Sequence, residues 1–323
     1  MVTLCRSRLH HSRSHLCAAL LALCTLLVAA AAISAPAAPA APAAQPAAAA
    51  TERVIHQGSS KFSDALVVSE TADGLRVLRF EMHGARQSVV KLDDPDHLEL
   101  AYARAIPAAL TWKPQPRRVL VVGLGGGTIP MFLRRHLRET DIDVIELDPA
   151  VVEVARSHFG FRDDARLKAH VGDGRRWIER VRGGRYDLIV IDAFSAHEVP
   201  YALATREFLV AVQQSLAADG VVIANMWGRL ANPLYDDMVA TYLSVFPAVS
   251  VMDVAGSGNK LVLGSRSAVV PQLDEATERA VRLNARLKLR HDLAAMVSQG
   301  LRMPDVHERA GKVLTDAGRP ARP

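Results

Sequence analysis

Three carboxylates stand out by where they fall in the chain. Glu146 closes the run "DVIE", Asp173 follows "AHVG", and Asp192 follows "DLIVI". An acid at the end of an apolar strand emerges at the carboxyl edge of a sheet, where open α/β sheets hold ligands. A carboxylate there can accept two vicinal hydroxyls (Glu146), an exocyclic amino group (Asp173), or the proton of a reacting group (Asp192). Each could instead cap only its own loop. Three at three successive strand ends argue for one shared ligand. Upstream, "VVGLGGGTIP" (121–130) runs an apolar strand into Gly123, Gly125, Gly126 and Gly127, and Thr128 and Pro130 open a helix.

A strand, a glycine turn and a helix start form a nucleotide loop. A P-loop is excluded, because no lysine follows the glycines to neutralise phosphates. The dinucleotide fingerprint is met at Gly123 and Gly125 but has Thr128 at its third position, where a glycine would allow close helix–strand packing. An adenosylmethionine-type loop has no pyrophosphate to bind and needs only pliable backbone beside the amino-acid end and the ribose. Glu146 on the ribose and Asp173 on the adenine complete that reading, with Asp192 at the reacting centre.

These residues need strands and helices to hold them. "RRVLVVG", "DIDVIELD", "RLKAHVGDG", "YDLIVIDAF" and "GVVIANMW" read as strands. Between them, "IPMFLRRHL", "PAVVEVARSHFG", "RRWIERV" and "TREFLVAVQQSL" read as helices, the second with Pro149 in its first turn and Gly160 past its end. "NPLYDDMVATYLSVF" adds a helix, and "SVMDVAGSGNKLVLGS" a terminal antiparallel hairpin. The alternation predicts an α/β fold with a doubly wound, Rossmann-like sheet of the adenosylmethionine-dependent methyltransferase type. Ahead of it, "ALVVSETADGLRVLRF" is a hairpin around Asp73-Gly74 and "RQSVVKL" a further strand, giving a small N-terminal antiparallel β domain. "DPDHLELAYARAIPAAL" reads as one helix with an acidic first turn, and from Asp274 we expect helix and then a loose tail. The expected division is 51–100 for the β domain, 101–266 for the nucleoside-binding catalytic domain, and 267–323 for a helical extension and tail.

The formal net charge of the 323 residues is +5, and Arg6, Arg8 and Arg13 supply three of those charges. No Lys/Arg block is interleaved with aromatics, so nucleic acid is not an expected partner. Those arginines precede an uninterrupted apolar run, 16–33, and small residues follow it, which fits a signal peptide or an anchor over 1–34. Residues 35–50, "APAAPAAPAAQPAAAA", read as an extended Ala/Pro-rich linker. The expectation is an exported or anchored protein that meets membrane only through that segment, if it is uncleaved. Cys5, Cys17 and Cys24 all lie inside it, so the rest of the chain offers no thiolate chemistry. The histidines show no ligand spacing, and no metal is expected. Trp227, just after the fifth strand, reads as core or sheet-edge packing, and His197 as an exposed loop residue.

Over 64–264 the sequence resembles the spermidine synthase (polyamine aminopropyltransferase) family. The resemblance rests on "RRVLVVGLGGG", "DVIELDPAVVEVAR", "RLKAHVGDGRRWI", "YDLIVIDAFS" and "TREFLVAVQQSLAADGVV", in that order. It implies transfer of an aminopropyl group from decarboxylated adenosylmethionine, or use of adenosylmethionine itself, with a small amine such as putrescine as acceptor. It implies cofactor contacts at Gln87, Gly123, Gly125, Gly127, Glu146, Asp173, Gly174 and Pro200. Asp192 would orient or deprotonate the amine, Tyr102 and Ser195 would face the acceptor, and the protein would be a homodimer. Two positions depart from the family pattern. Gly126 stands where the family has an aspartate that pairs with the donor's ammonium, and Ser195 where it has a second acid after the fourth strand. Asp93, Asp94, Asp96, Glu99 and Glu198 are nearby acids that could compensate. The departures keep two other readings open, an adenosylmethionine-dependent methyltransferase and a non-catalytic nucleoside- or polyamine-binding protein.

Overall fold

The computed structural model describes residues 52–194 and 199–318. The segment read as signal and linker, together with Ser195 and His197, lies outside the described residues.

Four short strands come first: β1 (Arg53–Gly58), β2 (Leu66–Glu70), β3 (Leu75–Arg79) and β4 (Ser88–Lys91). They pair antiparallel in sequence order, and Gly74 takes the positive φ of 82° that the β2–β3 turn needs. The expected single helix over "DPDHLELAYARAIPAAL" is different. It begins at α1 (Ala101–Ala105), passes through a 3₁₀ turn (Ile106–Ala108) and resumes as α2 (Ala109–Trp112). Pro107 has no N–H to donate, so the α-helical hydrogen-bond ladder is interrupted there although Ile106 keeps helical φ and ψ. The acidic stretch ahead of α1 is not helical. Asp94 pairs with Arg290 at 2.6 Å and Asp96 with Arg135 at 3.0 Å.

The main sheet follows with its helices. In chain order these are β5 (Arg118–Val122), α3 (Thr128–His136), β6 (Asp141–Glu146), α4 (Pro149–His158), β7 (Leu167–Val171) and α5 (Gly174–Arg180). Then come β8 (Tyr186–Ile191), α6 (Arg206–Ser215), β9 (Leu216–Trp227), α7 (Tyr235–Leu243), β10 (Ala248–Asp253) and β11 (Asn259–Ser265). The strand order is β12-β10-β11-β9-β8-β5-β6-β7, where β12 is a two-residue strand, Leu301–Arg302. Strands β5 to β9 are parallel, and β11 inserts between β9 and β10, antiparallel to both. The chain winds outward through β6 and β7, then returns to the other side of β5. The reversal lies between β5 and β8, the place where doubly wound sheets bind ligands.

Side-chain alternation along β5 divides the core. Val119 and Val121 face one apolar layer with Leu133 of α3 and Ala155 of α4, whereas Leu120 and Val122 face the other with Phe208 of α6 and Tyr242 of α7. Both faces are covered, which is why these strands are nearly all apolar. Local chemistry sets the helix starts. Asp148 caps α4 by accepting from the Ala150 N–H at 2.9 Å, with Pro149 at the first position, and Thr205 caps α6.

From Leu273 to Gly318, the last residue described, the chain is more ordered than the expected helix and loose tail. Helix α8 (Leu273–Leu287) buries Ala276, Ala280, Leu283 and Leu287 along one stripe, and α9 (Leu293–Gly300) leads into β12 at the sheet edge. Helix α10 (Val306–Ala310) follows, with a capping box between Asp305 and Glu308. Glu308 is fully buried, pairs with Arg302 at 2.8 Å and accepts the Tyr235 hydroxyl at 2.6 Å. A run of polar residues looks loose by composition, but here its charges find partners on β12 and α7.

Candidate active site

The carboxyl ends of β5 to β8, the loop before β4 and helix α1 enclose a cleft of about 1040 Å³. It is lined by Gln87, Tyr102, Gly123, Gly125, Glu146, Asp173, Gly174, Asp192 and Pro200, so nearly every residue singled out in the sequence reaches one space. Gly127 does not line it. That glycine holds φ 79° at the N-cap of α3, and a Cβ there would stand 2.7 Å from Phe161, so its role is in the turn and its packing.

The donor side is built from strand ends. Glu146 is the last residue of β6, and its two oxygens accept the Leu124 N–H at 2.8 Å and the Asp148 N–H at 3.0 Å. These bonds rigidify the glycine loop, and they take up only part of the carboxylate's roughly four acceptor sites. Burial pushes the Glu146 carboxyl up from its ordinary range, against the backbone donors that pull it down. Asp173 is exposed at the cleft and caps α5 through the Arg176 N–H at 3.1 Å. The loop-capping alternative therefore holds for part of what Glu146 and Asp173 do, and both still present oxygens to the cleft. Gly123, at φ 99°, lies so close to the β8 end that a Cβ would sit 2.1 Å from the Asp192 carbonyl oxygen. Only glycine fits where these two strand ends meet.

Asp192 follows β8 directly. Its Oδ2 accepts the Tyr102 hydroxyl at 3.3 Å, and its Oδ1 accepts the Asn225 side-chain N–H at 2.9 Å. Burial raises its carboxyl to about 6, and the two donors limit the rise. Burial and the Asp192 charge hold the Tyr102 phenol well above its usual range, so it stays a donor. Phe194 and Trp227 meet edge to face beside this carboxylate, with ring centroids 6.5 Å apart at 74°. Trp227, expected in the core or at the sheet edge, lines the cleft. A carboxylate whose affinity for a proton is raised by burial, beside an aromatic wall, can take a proton from an amine held in line with a donor carbon.

The model of the spermine/spermidine synthase domain matches residues 99–250. The polyamine aminopropyltransferase of Vibrio vulnificus (strain CMCP6) is 35% identical over 224 residues, which cover 68% of this chain and 74% of that one. The chain belongs to the spermidine synthase family. It is accordingly a transferase of Rossmann-like fold. The spermidine synthase from Thermotoga maritima shares the fold, with a TM-score of 0.64, 20% identity and coverage of 80% of this chain and 88% of that chain. Human Methyltransferase-like protein 13, solved in complex with SAH, is 31% identical with a TM-score of 0.50, covering 58% of this chain and 89% of that chain.

Family membership corrects one expectation. Among the described residues no helix is long and apolar enough to cross a membrane. The chain's relatives include polyamine aminopropyltransferases at 35% and 31% identity. Export or anchoring therefore does not stand. The run at 16–33 lies outside the described residues, and its hydropathy alone does not assign a destination.

At Gly126, where the sequence departs from the family pattern, the structure is closed. A Cβ there would stand 2.6 Å from Phe159 and 3.0 Å from the Ser88 hydroxyl. Thr128, the departure from the dinucleotide fingerprint, donates to the Val89 carbonyl at 3.0 Å and bonds the Ser88 hydroxyl at 3.0 Å, tying the glycine loop to β4. Of the nearby acids, Glu99 lines the cleft and is shared by His97 at 2.9 Å and Arg86 at 3.7 Å, while Asp94 and Asp96 are held in the ion pairs given above. Ser195 and Glu198 lie outside the described residues. Among the described residues no group of three or more metal-binding side chains converges.

Sequence reasoning missed Asn225, Asn259, Ser88 and Phe159. Asn225 carried a readable signal, a lone amide inside the apolar run "VVIANMW". A buried amide needs partners, and one partner here is the catalytic candidate Asp192. Phe159 carried none, because its approach to Gly126 depends on how α4 packs.

Proposed function

We propose that the protein transfers an aminopropyl group from decarboxylated adenosylmethionine to a primary amine of a putrescine-like acceptor. The observation that carries this reading is the Asp192 carboxylate, lining the cleft beside the glycine loop and held between the Tyr102 hydroxyl and the Asn225 amide. The amine nitrogen attacks the donor's terminal propyl carbon beside sulfur. The carbon–sulfur bond breaks, its electron pair stays on sulfur, and a neutral thioether leaves. The proton released from the amine passes to Asp192. Catalysis is then mostly positioning plus one proton acceptor.

In this reading Glu146 holds the ribose hydroxyls through its remaining lone pairs and Asp173 takes the adenine amino group. Pro200, in the segment before α6, packs against the base. Gln87 faces the nucleoside, Gly123 and Gly125 allow the donor's close approach, Gly174 keeps α5 tight on β5, and Ser195 faces the acceptor. Residues 101–266 form the catalytic domain, 51–100 the β domain flanking the donor, and 267–323 the helical extension that completes the sheet edge. No metal takes part, and the protein is a homodimer.

A second reading, methyl transfer from intact adenosylmethionine, is favoured by the crowding of Gly126 under Phe159. An acid at that position would meet a decarboxylated donor's ammonium, and no side chain fits there. The test is incubation of the purified protein with each donor separately and a panel of di- and polyamines, read by mass spectrometry. An aminopropyl-sized gain supports the first reading, and a methyl-sized gain replaces it with the second. Nucleoside binding without product would assign the protein a binding role.

A further inference from the structure

Strands β9 and β11 run antiparallel with Asn225 opposite Leu261 and Asn259 opposite Trp227, so the two asparagines are diagonal neighbours. Asn225 is 2% and Asn259 6% exposed. The Asn259 side-chain N–H donates to the Asn225 oxygen at 3.0 Å. Ser257, in the turn before β11, accepts the Asn259 backbone N–H at 3.1 Å and donates its hydroxyl to the Asn259 side-chain oxygen at 2.5 Å. The ionised Asp192 carboxylate can only accept, so Asn225 must turn its N–H toward Oδ1. The Asn225 oxygen then faces Asn259 and takes its N–H, which leaves the Asn259 oxygen to accept the Ser257 hydroxyl. If Asn225 turned over, its carbonyl oxygen would face the Asp192 carboxylate inside the protein, an arrangement far costlier than in water.

We infer that Ser257, Asn259 and Asn225 form a one-way donor chain that keeps an N–H on Asp192, making the asparagines positioning residues for the proton-accepting carboxylate. The inference rests on the proposed role of Asp192. The chain reaches from the glycine-rich turn at the cleft mouth, where Gly256 and Ser257 line the cleft, to the reacting carboxylate. It controls how readily that carboxylate is ionised, through a neutral group. Among the described residues the side-chain partners of Asp192 are Tyr102 on α1 and Asn225 on β9, and Arg86, Glu99, Arg104, Glu146, Asp148, Asp173 and Arg175 are the other charged groups lining the cleft.

The experiment is carbon NMR titration of aspartate-labelled protein, with the Asp192 signal assigned by its loss in Asp192→Asn. Replacement of the donor in Asn225→Leu is expected to raise the Asp192 midpoint by about one pH unit, the equivalent of a charge-assisted hydrogen bond. Asn259→Leu and Ser257→Ala are expected to move it the same way by less, and Ser257→Thr, which keeps the hydroxyl, to leave it in place. An unchanged midpoint in Asn225→Leu, with only thermal stability lowered, overturns the inference. If Asn225→Leu does not fold, the serine pair decides: a rise in Ser257→Ala absent from Ser257→Thr supports the chain, and equal midpoints overturn it. Turnover is measured separately in Asp192→Asn. Full turnover there refutes the proposed function, while the titrations still judge the chain.

Discussion

Tyr102 and Asp192, 90 residues apart in sequence, meet through a hydroxyl-to-carboxylate hydrogen bond of 3.3 Å. The tyrosine sits on the short helix that joins the small sheet to the large one, and the aspartate ends a central strand. Their contact brings the β4–α1 segment onto the reacting side of the cleft. Tyr102→Phe removes one of the two donors that limit the rise in the Asp192 carboxyl. The acidic limb of the pH–rate profile is expected to move up by about half a unit, with rates recovered at high pH. An unmoved limb would show that the hydroxyl does not act on Asp192.

Asp192→Asn is expected to lower turnover about 10²- to 10⁴-fold and to leave nucleoside affinity unchanged. It also has a signed effect on stability. Because burial raises the folded-state carboxyl from 3.8 to about 6, the group favours the folded state only while protonated. That contribution is present below about 3.8 and is lost as pH rises through about 6. The asparagine variant is therefore expected to be more stable than the parent at pH 8, by about 2 kcal/mol, and not at low pH. Paired denaturant titrations at the two pH values check this.

Glu146→Ala removes a carboxylate that holds two backbone N–H groups and is proposed to hold the ribose. Affinity for methylthioadenosine, measured by calorimetry, is expected to fall about 10²-fold or more. Retained affinity would place the nucleoside elsewhere.

Gly126→Ala inserts a methyl group 2.6 Å from the Phe159 ring. The expected cost is about 1–3 kcal/mol in chemical denaturation, reduced when Phe159→Leu is combined with it. In that background Gly126→Asp is expected to shift donor preference toward the decarboxylated form, read in competition between the two donors.

Glu308 is buried against Arg302 and Tyr235. Burial alone would raise its carboxyl, but Arg302, the Tyr235 hydroxyl and the Asp305 N–H outweigh it and hold the group below 4.5. Its stabilisation is present above that value and lost as pH falls through the folded-state midpoint. Glu308→Gln is expected to cost about 3 kcal/mol at neutral pH, because Arg302 loses a buried partner, and to flatten the loss of stability in acid.

The sequence by itself determined the order of strands and helices, because apolar runs, caps and glycine turns are local chemistry. Pro149, Asp148 and Gly160 bound α4 by rules that reach only a few residues. It also placed Glu146, Asp173 and Asp192 on one edge, since each ends a strand in a parallel series. Pro107 is equally local, but the helical periodicity continues on both sides of it and masks the break. Tertiary structure alone decided what surrounds those acids. Asn225 and Asn259 are 34 residues apart and meet because β9 and β11 pair in one particular register. Phe159 reaches Gly126, and Glu308 reaches Arg302 and Tyr235, only after helices dock. Local pattern sets which edge of the sheet an acid occupies, and packing sets the dielectric and the donors that decide its chemistry.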